Sequence, residues 1–157
     1  HPRRCRRLIL VSTSTGALMV PGRLSVLLHM LTPQRYLDRS HLEAIAAELY
    51  GGSARTHPEQ VRGFARAMQG ASQRGYLYQM LSAVGWTSLP WLWLIRQPTL
   101  ILSGDDDPII PLANARIMQR LIPRARLHVF HGGHLGLVTE ADQLAPVVDQ
   151  FLADRAV

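Results

Sequence analysis

Lysine is absent from this sequence. All 17 basic side chains are arginine, and against 11 acidic residues they leave a formal charge of +6. Such an excess can mark a binder of nucleic acid or of an anionic surface. Here the arginines are spread along the chain, and the one cluster, Arg3-Arg4-Cys5-Arg6-Arg7, has no interleaved aromatic on which bases could stack. It reads as a solvated junction ahead of a strand, so no nucleic-acid partner is expected. Cysteine is nearly absent too. Cys5 stands alone, which excludes an internal disulfide and a cysteine-based zinc site and fits a cytoplasmic location. No apolar run approaches the roughly 20 residues needed to span a bilayer, and the start shows no small-residue cleavage site of a secretory signal. An initiator methionine is also missing, and His1-Pro2 leads within a few residues into an apolar run. The chain is therefore expected to be a fragment. Its composition, 47% hydrophobic and 18% charged, is that of a globular domain.

Three segments carry strand signals. Arg7 to Ser12 ends in the small polar run Ser12-Thr13-Ser14-Thr15-Gly16; Thr99 to Ser103 follows Pro98 and closes at Gly104; Arg126 to Phe130 closes at Gly132-Gly133. The second and third are short, mostly apolar runs bounded by turn residues, as expected of parallel strands buried on both faces. Between them Pro111 opens a helical pattern with Leu112, Ile117, Leu121 and Ile122 on one side, stopped by Pro123. A second pattern follows the third strand, through Leu144, Val147, Val148, Phe151 and Leu152. Strand, helix, strand, helix implies an α/β domain with right-handed crossovers.

Residues 17–96 behave differently. Helical patterns dominate, at His41 to Tyr50 and Pro58 to Ala71, broken by Gly51-Gly52 and Gly75, and Trp86, Trp91 and Trp93 crowd the end. A block this long exceeds an ordinary crossover. We expect residues 1–16 and 97–157 to form the α/β core and 17–96 to be a helical lid or cap inserted into it.

The chemistry concentrates after the second and third strands, in Gly104-Asp105-Asp106-Asp107-Pro108 and His131-Gly132-Gly133-His134-Leu135. In a parallel sheet, functional groups gather where the carboxyl ends of the strands meet. An acid there can accept from one imidazole nitrogen, fix the tautomer and stabilise the imidazolium formed in turnover. Gly132 and Gly133 permit the tight turn that presents His134. As a lone Asp-Pro, Asp107 would be read as a turn or cap carboxylate, and a lone His134 as a structural histidine. The frame Gly-x-x-Asp-x-x-x-Pro, followed 27 residues after the Asp by Gly-His, favours the catalytic pair. Asp105 and Asp106 are expected to be solvated or turn-forming. His131 is expected to be a loop residue, and His128 lies within the strand.

This frame resembles the acid–histidine half of the α/β-hydrolases, whose triad runs Ser, Asp, His along the chain. Within that superfamily Gly85-Trp86-Thr87-Ser88, Trp91-Leu92, Gln97-Pro98-Thr99-Leu100, Val20-Pro21-Gly22 and Tyr50-Gly51-Gly52 resemble intracellular medium-chain-length poly(3-hydroxyalkanoate) depolymerases. The resemblance implies the C-terminal part of an α/β-hydrolase fold, three parallel strands with flanking helices plus the helical lid, with Asp107 as triad acid and His134 as base. It implies hydrolysis of a polyester or acyl ester without a cofactor, a cytoplasmic site of action and association with the storage-granule surface. Trp86, Trp91 and Leu135 are the candidate substrate-binding residues, although tryptophans beneath a lid serve as core more often than as ligand contacts. The family's Gly-x-Ser-x-Gly elbow occurs nowhere; Gly70-Ala71-Ser72-Gln73-Arg74-Gly75 has the wrong spacing. The nucleophile is expected ahead of residue 1, on the strand beside Leu8-Ile9-Leu10. Cys5 is no substitute, because it precedes a strand where an elbow must follow one.

Other readings keep the fold but change the chemistry to a lipase or esterase, a carbon–carbon hydrolase or a haloperoxidase, or make the chain a non-catalytic fragment. A metal site built on Asp105 to Asp107 with His131 is not expected, since consecutive aspartates cannot all converge on one ion.

Overall fold

The three apolar runs pair as a parallel sheet in the order β1 (Leu8–Val11), β2 (Thr99–Gly104), β3 (Ala125–Phe130). The register sets Leu10 beside Ile101 and Ile101 beside Leu127. The computed structural model describes residues 2–67 and 72–154. Among these, β2 is central and buried throughout, as its mostly apolar sequence leads one to expect, and β1 lies at an edge of the sheet. β3 departs from the sequence expectation of burial on both faces. As an outer strand it leaves Arg126 and Val129 exposed.

Alternation along β2 divides the core. Ile101 packs with Leu10, Leu127, Ala115, Met118 and Ile122 on one face of the sheet. Leu100 and Leu102 pack with Phe130, Leu144 and Phe151 on the other.

Among the described residues, six α-helices lie between β1 and β2: α1 (Leu24–Met30), α2 (Gln34–Leu37), α3 (Arg39–Tyr50), α4 (Ser53–Thr56), α5 (Pro58–Ala67) and α6 (Gln73–Ala83). Asp38 caps α3 by accepting from the Ser40 and His41 N–H groups at 2.9 and 3.1 Å, and the Ser40 hydroxyl, donating at 2.6 Å, leads these amides in holding its carboxyl below the usual range. The helical pattern read from Pro58 runs to Ala71, and its residues 68–71 lie outside the described residues. Gly75 does not break a helix as expected. It sits in the first turn of α6, where the Ser72 hydroxyl accepts its N–H at 3.0 Å.

The block has its own core, Val26, Leu42, Leu49 and Val61 among its members. Arg35 is buried within it and lies over the rings of Tyr36 and Tyr76, donating to their hydroxyls at 3.2 and 3.1 Å. Burial alone would lower its pKa, but the two phenols outweigh this and raise it.

The block's neck is closed by an antiparallel bridge between Gly16 and Thr87. Ala17 N–H donates to the Trp86 carbonyl at 2.7 Å, and Ser88 N–H to the Thr15 carbonyl at 2.9 Å. Beyond the neck, the 3-10 helix Leu89–Leu94 turns back, and its Leu89 and Leu92 join the sheet's core. α7 (Leu112–Leu121) then leads to β3, and α8 (Gly136–Thr139) and α9 (Ala141–Ala153) follow it. The face of α7 differs from the sequence reading: Ala115 and Met118 are buried, while Leu121 is exposed.

Candidate active site

Because the three strands are parallel, the loops after β1, β2 and β3 emerge at one edge of the sheet. Asp107 comes from the second loop and His134 from the third. The His134 Nδ1 lies 2.9 Å from Asp107 Oδ2. The other oxygen, Oδ1, accepts from the Ile109 and Ile110 N–H groups at 2.9 and 2.8 Å. The Asp107 side chain is fully buried, whereas that of His134 keeps 25% exposure. The carboxylate is thus fixed in place, while the imidazole reaches solvent. With Nδ1 engaged, Nε2 is the nitrogen left to face a reacting group.

The flanking residues anchor the pair to the helical block. Ile109, Ile110 and Leu135 pack into the block's core, with Val26, Leu49 and Ala54. The Tyr50 carbonyl, at the end of α3, accepts the His134 N–H at 2.8 Å. Burial pushes the Tyr50 phenol up to about 12, so it stays neutral. The chain then passes so close to the histidine loop that a Cβ on Gly52 would lie 2.0 Å from Gly133 N. Only glycine fits there, which gives the Tyr50-Gly51-Gly52 motif its physical reason. The Ser53 hydroxyl donates to Glu140, just past α8.

Val20-Pro21-Gly22 has a comparable role on the acid side. Buried Asn114 accepts from Val20 N–H at 2.8 Å and donates to its carbonyl at 2.9 Å. Arg23 N–H donates to Pro108 at 3.0 Å.

Asp105 and Asp106 are not simply solvated. Asp105 pairs with His131 at 3.0 Å and accepts Gly132 N–H at 3.1 Å. The side-chain bond to His131 lowers the Asp105 pKa and raises that of His131. Asp106 accepts Gly52 N–H at 2.8 Å and Arg55 Nη1 at 2.6 Å. The sequence does not reveal these contacts with the block, because the partners lie 54 and 51 residues away. The Gly-Gly pair closing the α3 pattern is the one available signal.

A cavity of about 650 Å³ opens at the same edge of the sheet. Thr13 and Ser14 from the loop after β1, Met19, Leu27 of α1, Ala83 of α6 and Trp86 line it. Of the three candidate substrate-binding residues, Trp86 is on this wall. Leu135 is turned into the block's core, and Trp91 is exposed on the 3-10 helix that packs on the sheet. Directly after β1, Ser12 takes a left-handed φ of 41°, a conformation that non-glycine residues adopt at a cost and that concentrates at functional sites.

Comparison with known proteins agrees with this architecture. A poly(3-hydroxyalkanoate) depolymerase of Ectopseudomonas oleovorans is 45% identical over 152 residues, which are 97% of this chain and 54% of that protein. A 2-hydroxymuconate semialdehyde hydrolase of Pseudomonas sp. strain CF600 is 30% identical over 98% of this chain and 56% of its own length. The chain thus spans about half the length of these relatives. The crystal structure of the enol-lactonase from Burkholderia xenovorans LB400 superposes with a TM-score of 0.77 at 18% identity, over 98% of this chain and 58% of that one. The profile of the α/β-hydrolase fold matches residues 1–141. With three parallel strands, flanking helices and a helical block between the first two, the chain belongs to the α/β-hydrolase fold family.

Proposed function

We propose that this chain supplies the acid and base of a serine ester hydrolase acting on poly(3-hydroxyalkanoate). The observation that carries the proposal is the Asp107–His134 hydrogen bond at the carboxyl edge of a parallel sheet. In this reading a serine from the protein's remaining half attacks the ester carbonyl, and His134 Nε2 takes its proton. His134 then returns the proton to the departing alkoxide, leaving an acyl-enzyme. Water, deprotonated by the same nitrogen, attacks the acyl carbon, and the proton passes back to serine as the 3-hydroxyalkanoate leaves. Asp107 orients the ring and stabilises the transient imidazolium without itself being protonated. The chemistry needs no cofactor.

The 45% identity to a depolymerase supports the polyester over the alternative substrates of the fold. The apolar cavity beside Trp86 suits the alkyl side group of a medium-chain monomer, and the helical block serves as its lid. Granule association is supported by exposed apolar stripes on two neighbours of that cavity, Leu24 and Leu28 on α1 with Leu31 just past its end, and Leu77 and Leu81 on α6 with Val84 just past its end. Among the described residues no helix is long and apolar enough to cross a membrane.

The test is hydrolysis by the full-length protein of medium-chain polyester granules, read as released 3-hydroxyalkanoate, with and without a serine-directed phosphonate. Release that the phosphonate abolishes supports the proposal. Turnover of a carbon–carbon hydrolase substrate with none of the polyester would overturn it.

A further inference from the structure

Three adjacent carboxylates leave the loop after β2 in three directions. Asp107 meets the His134 ring at 2.9 Å, and Asp105 meets His131 at 3.0 Å. Asp106 faces the helical block, where one of its oxygens receives both Gly52 N–H and Arg55 Nη1, at 2.8 and 2.6 Å. The backbone of Asp106 meanwhile donates to the Gly132 carbonyl at 3.0 Å. One residue therefore grips the histidine loop through its main chain and the block through its side chain. Between these two grips Tyr50 accepts the His134 N–H at 2.8 Å, and Gly52 sits against Gly133.

We propose that Asp106, with Arg55 and Gly52, forms a latch that positions His134, so that the seating of the block and the aim of the base are one equilibrium. This rests on the reading of His134 as the base. The latch combines an ion pair with a backbone amide hydrogen bond on a single carboxylate oxygen, with the Asp106 and Arg55 side chains 29% and 39% exposed. An isolated exposed ion pair holds little. This one closes a ring of backbone contacts in which His134 is a member. When it opens, Gly52 can lift from Gly133, and the Tyr50 carbonyl withdraws from His134 N–H. The imidazole then loses its fixed distance to Asp107 Oδ2. Misplacement on the scale of 1 Å at such a site costs about 100-fold in rate.

The test uses the full-length enzyme on a short p-nitrophenyl ester, with the low-field proton resonance of the imidazole–carboxylate hydrogen bond as a second readout. Asp106→Ala and Arg55→Met should each lower kcat about 100-fold with KM within about threefold, because orientation rather than binding is lost. The low-field resonance should weaken in both, while far-UV circular dichroism stays that of the parent. Arg55→Lys, which keeps a cationic donor, should recover most of the loss. Arg126→Ala removes the Arg126–Asp154 ion pair near the opposite end of β3 and should leave kcat and the resonance unchanged. If Asp106→Ala does not fold, Arg55→Met carries the test from a part-exposed position. Full kcat and an intact resonance in the latch variants, with His134→Ala inactive, would overturn the latch and leave the base assignment standing. An active His134→Ala, with no low-field resonance in the parent, would overturn both.

Discussion

Asp107 divides its two oxygens between two tasks: Oδ2 meets His134 Nδ1 at 2.9 Å, and Oδ1 is held by the amides of Ile109 and Ile110. The same two isoleucines place their side chains in the core of the helical block. Displacing the block therefore disturbs Asp107 as well as His134.

The first consequence concerns Asp107→Asn. An amide nitrogen turned toward Nδ1 cannot accept a hydrogen bond, and an amide oxygen there lacks the charge that stabilises imidazolium. In the full-length enzyme kcat should fall by about 10⁴, the serine-protease precedent for this change, with folding retained. Steady-state kinetics on a p-nitrophenyl ester measure it. A loss below tenfold would contradict the role of orienting acid.

A second expectation is pH-dependent. His131 gains a carboxylate partner in Asp105, so its folded pKa lies above the ordinary 6.5, while that of Asp105 lies below the ordinary 3.8. The tie they make is complete between these two ordinary values. It is lost as pH rises through the folded pKa of His131, and as pH falls through that of Asp105. The His131 side chain is 95% exposed, so its effect on global stability should be slight. An NMR titration should place the His131 midpoint above 6.5, and Asp105→Asn should bring it back down. An identical midpoint in both proteins would remove the pair from the account.

Two glycines should respond oppositely to alanine. Gly52 has a φ of 48°, and its Cβ would press on Gly133 backbone. Gly52→Ala should cost at least about 1–3 kcal/mol. Gly63 lies inside α5, with nothing within 4 Å of an added Cβ. Gly63→Ala should stabilise by about 0.5–1 kcal/mol. Urea unfolding of both variants decides the matter, and equal effects would refute the close approach.

Selectivity should follow the cavity. Leu27→Phe fills space between the loop after β1 and Trp86. The octanoate-to-butyrate ratio of kcat/KM for p-nitrophenyl esters should fall about tenfold, by the cost of crowding methylenes out of an apolar pocket. An unchanged ratio would place the alkyl chain elsewhere.

What the sequence made legible is local. The start of β2 at Thr99, the start of α7 after Pro111, and the meeting of Asp107 with His134 all rest on short runs, turn residues and a fixed frame; β1 begins one residue later than the Arg7 read from the sequence. The less legible features depend on distant partners. Leu121 has the hydrophobicity of a core residue, yet the packing of α7 on the sheet selects Ala115 and Met118 instead. Asp105 and Asp106 look like ordinary turn aspartates until the loop after β3 and α4 are brought to them. Leu135 follows His134 and suggests a substrate wall, but the helical block claims its side chain.

The central claim is that His134, oriented by Asp107, is the general base of an ester hydrolase. The most direct measurement is single-turnover acylation of the full-length enzyme by a p-nitrophenyl ester, comparing parent with His134→Ala. The account predicts a burst of p-nitrophenol from the parent and none from the variant, with both folded alike by circular dichroism. A burst of normal rate from His134→Ala would contradict it.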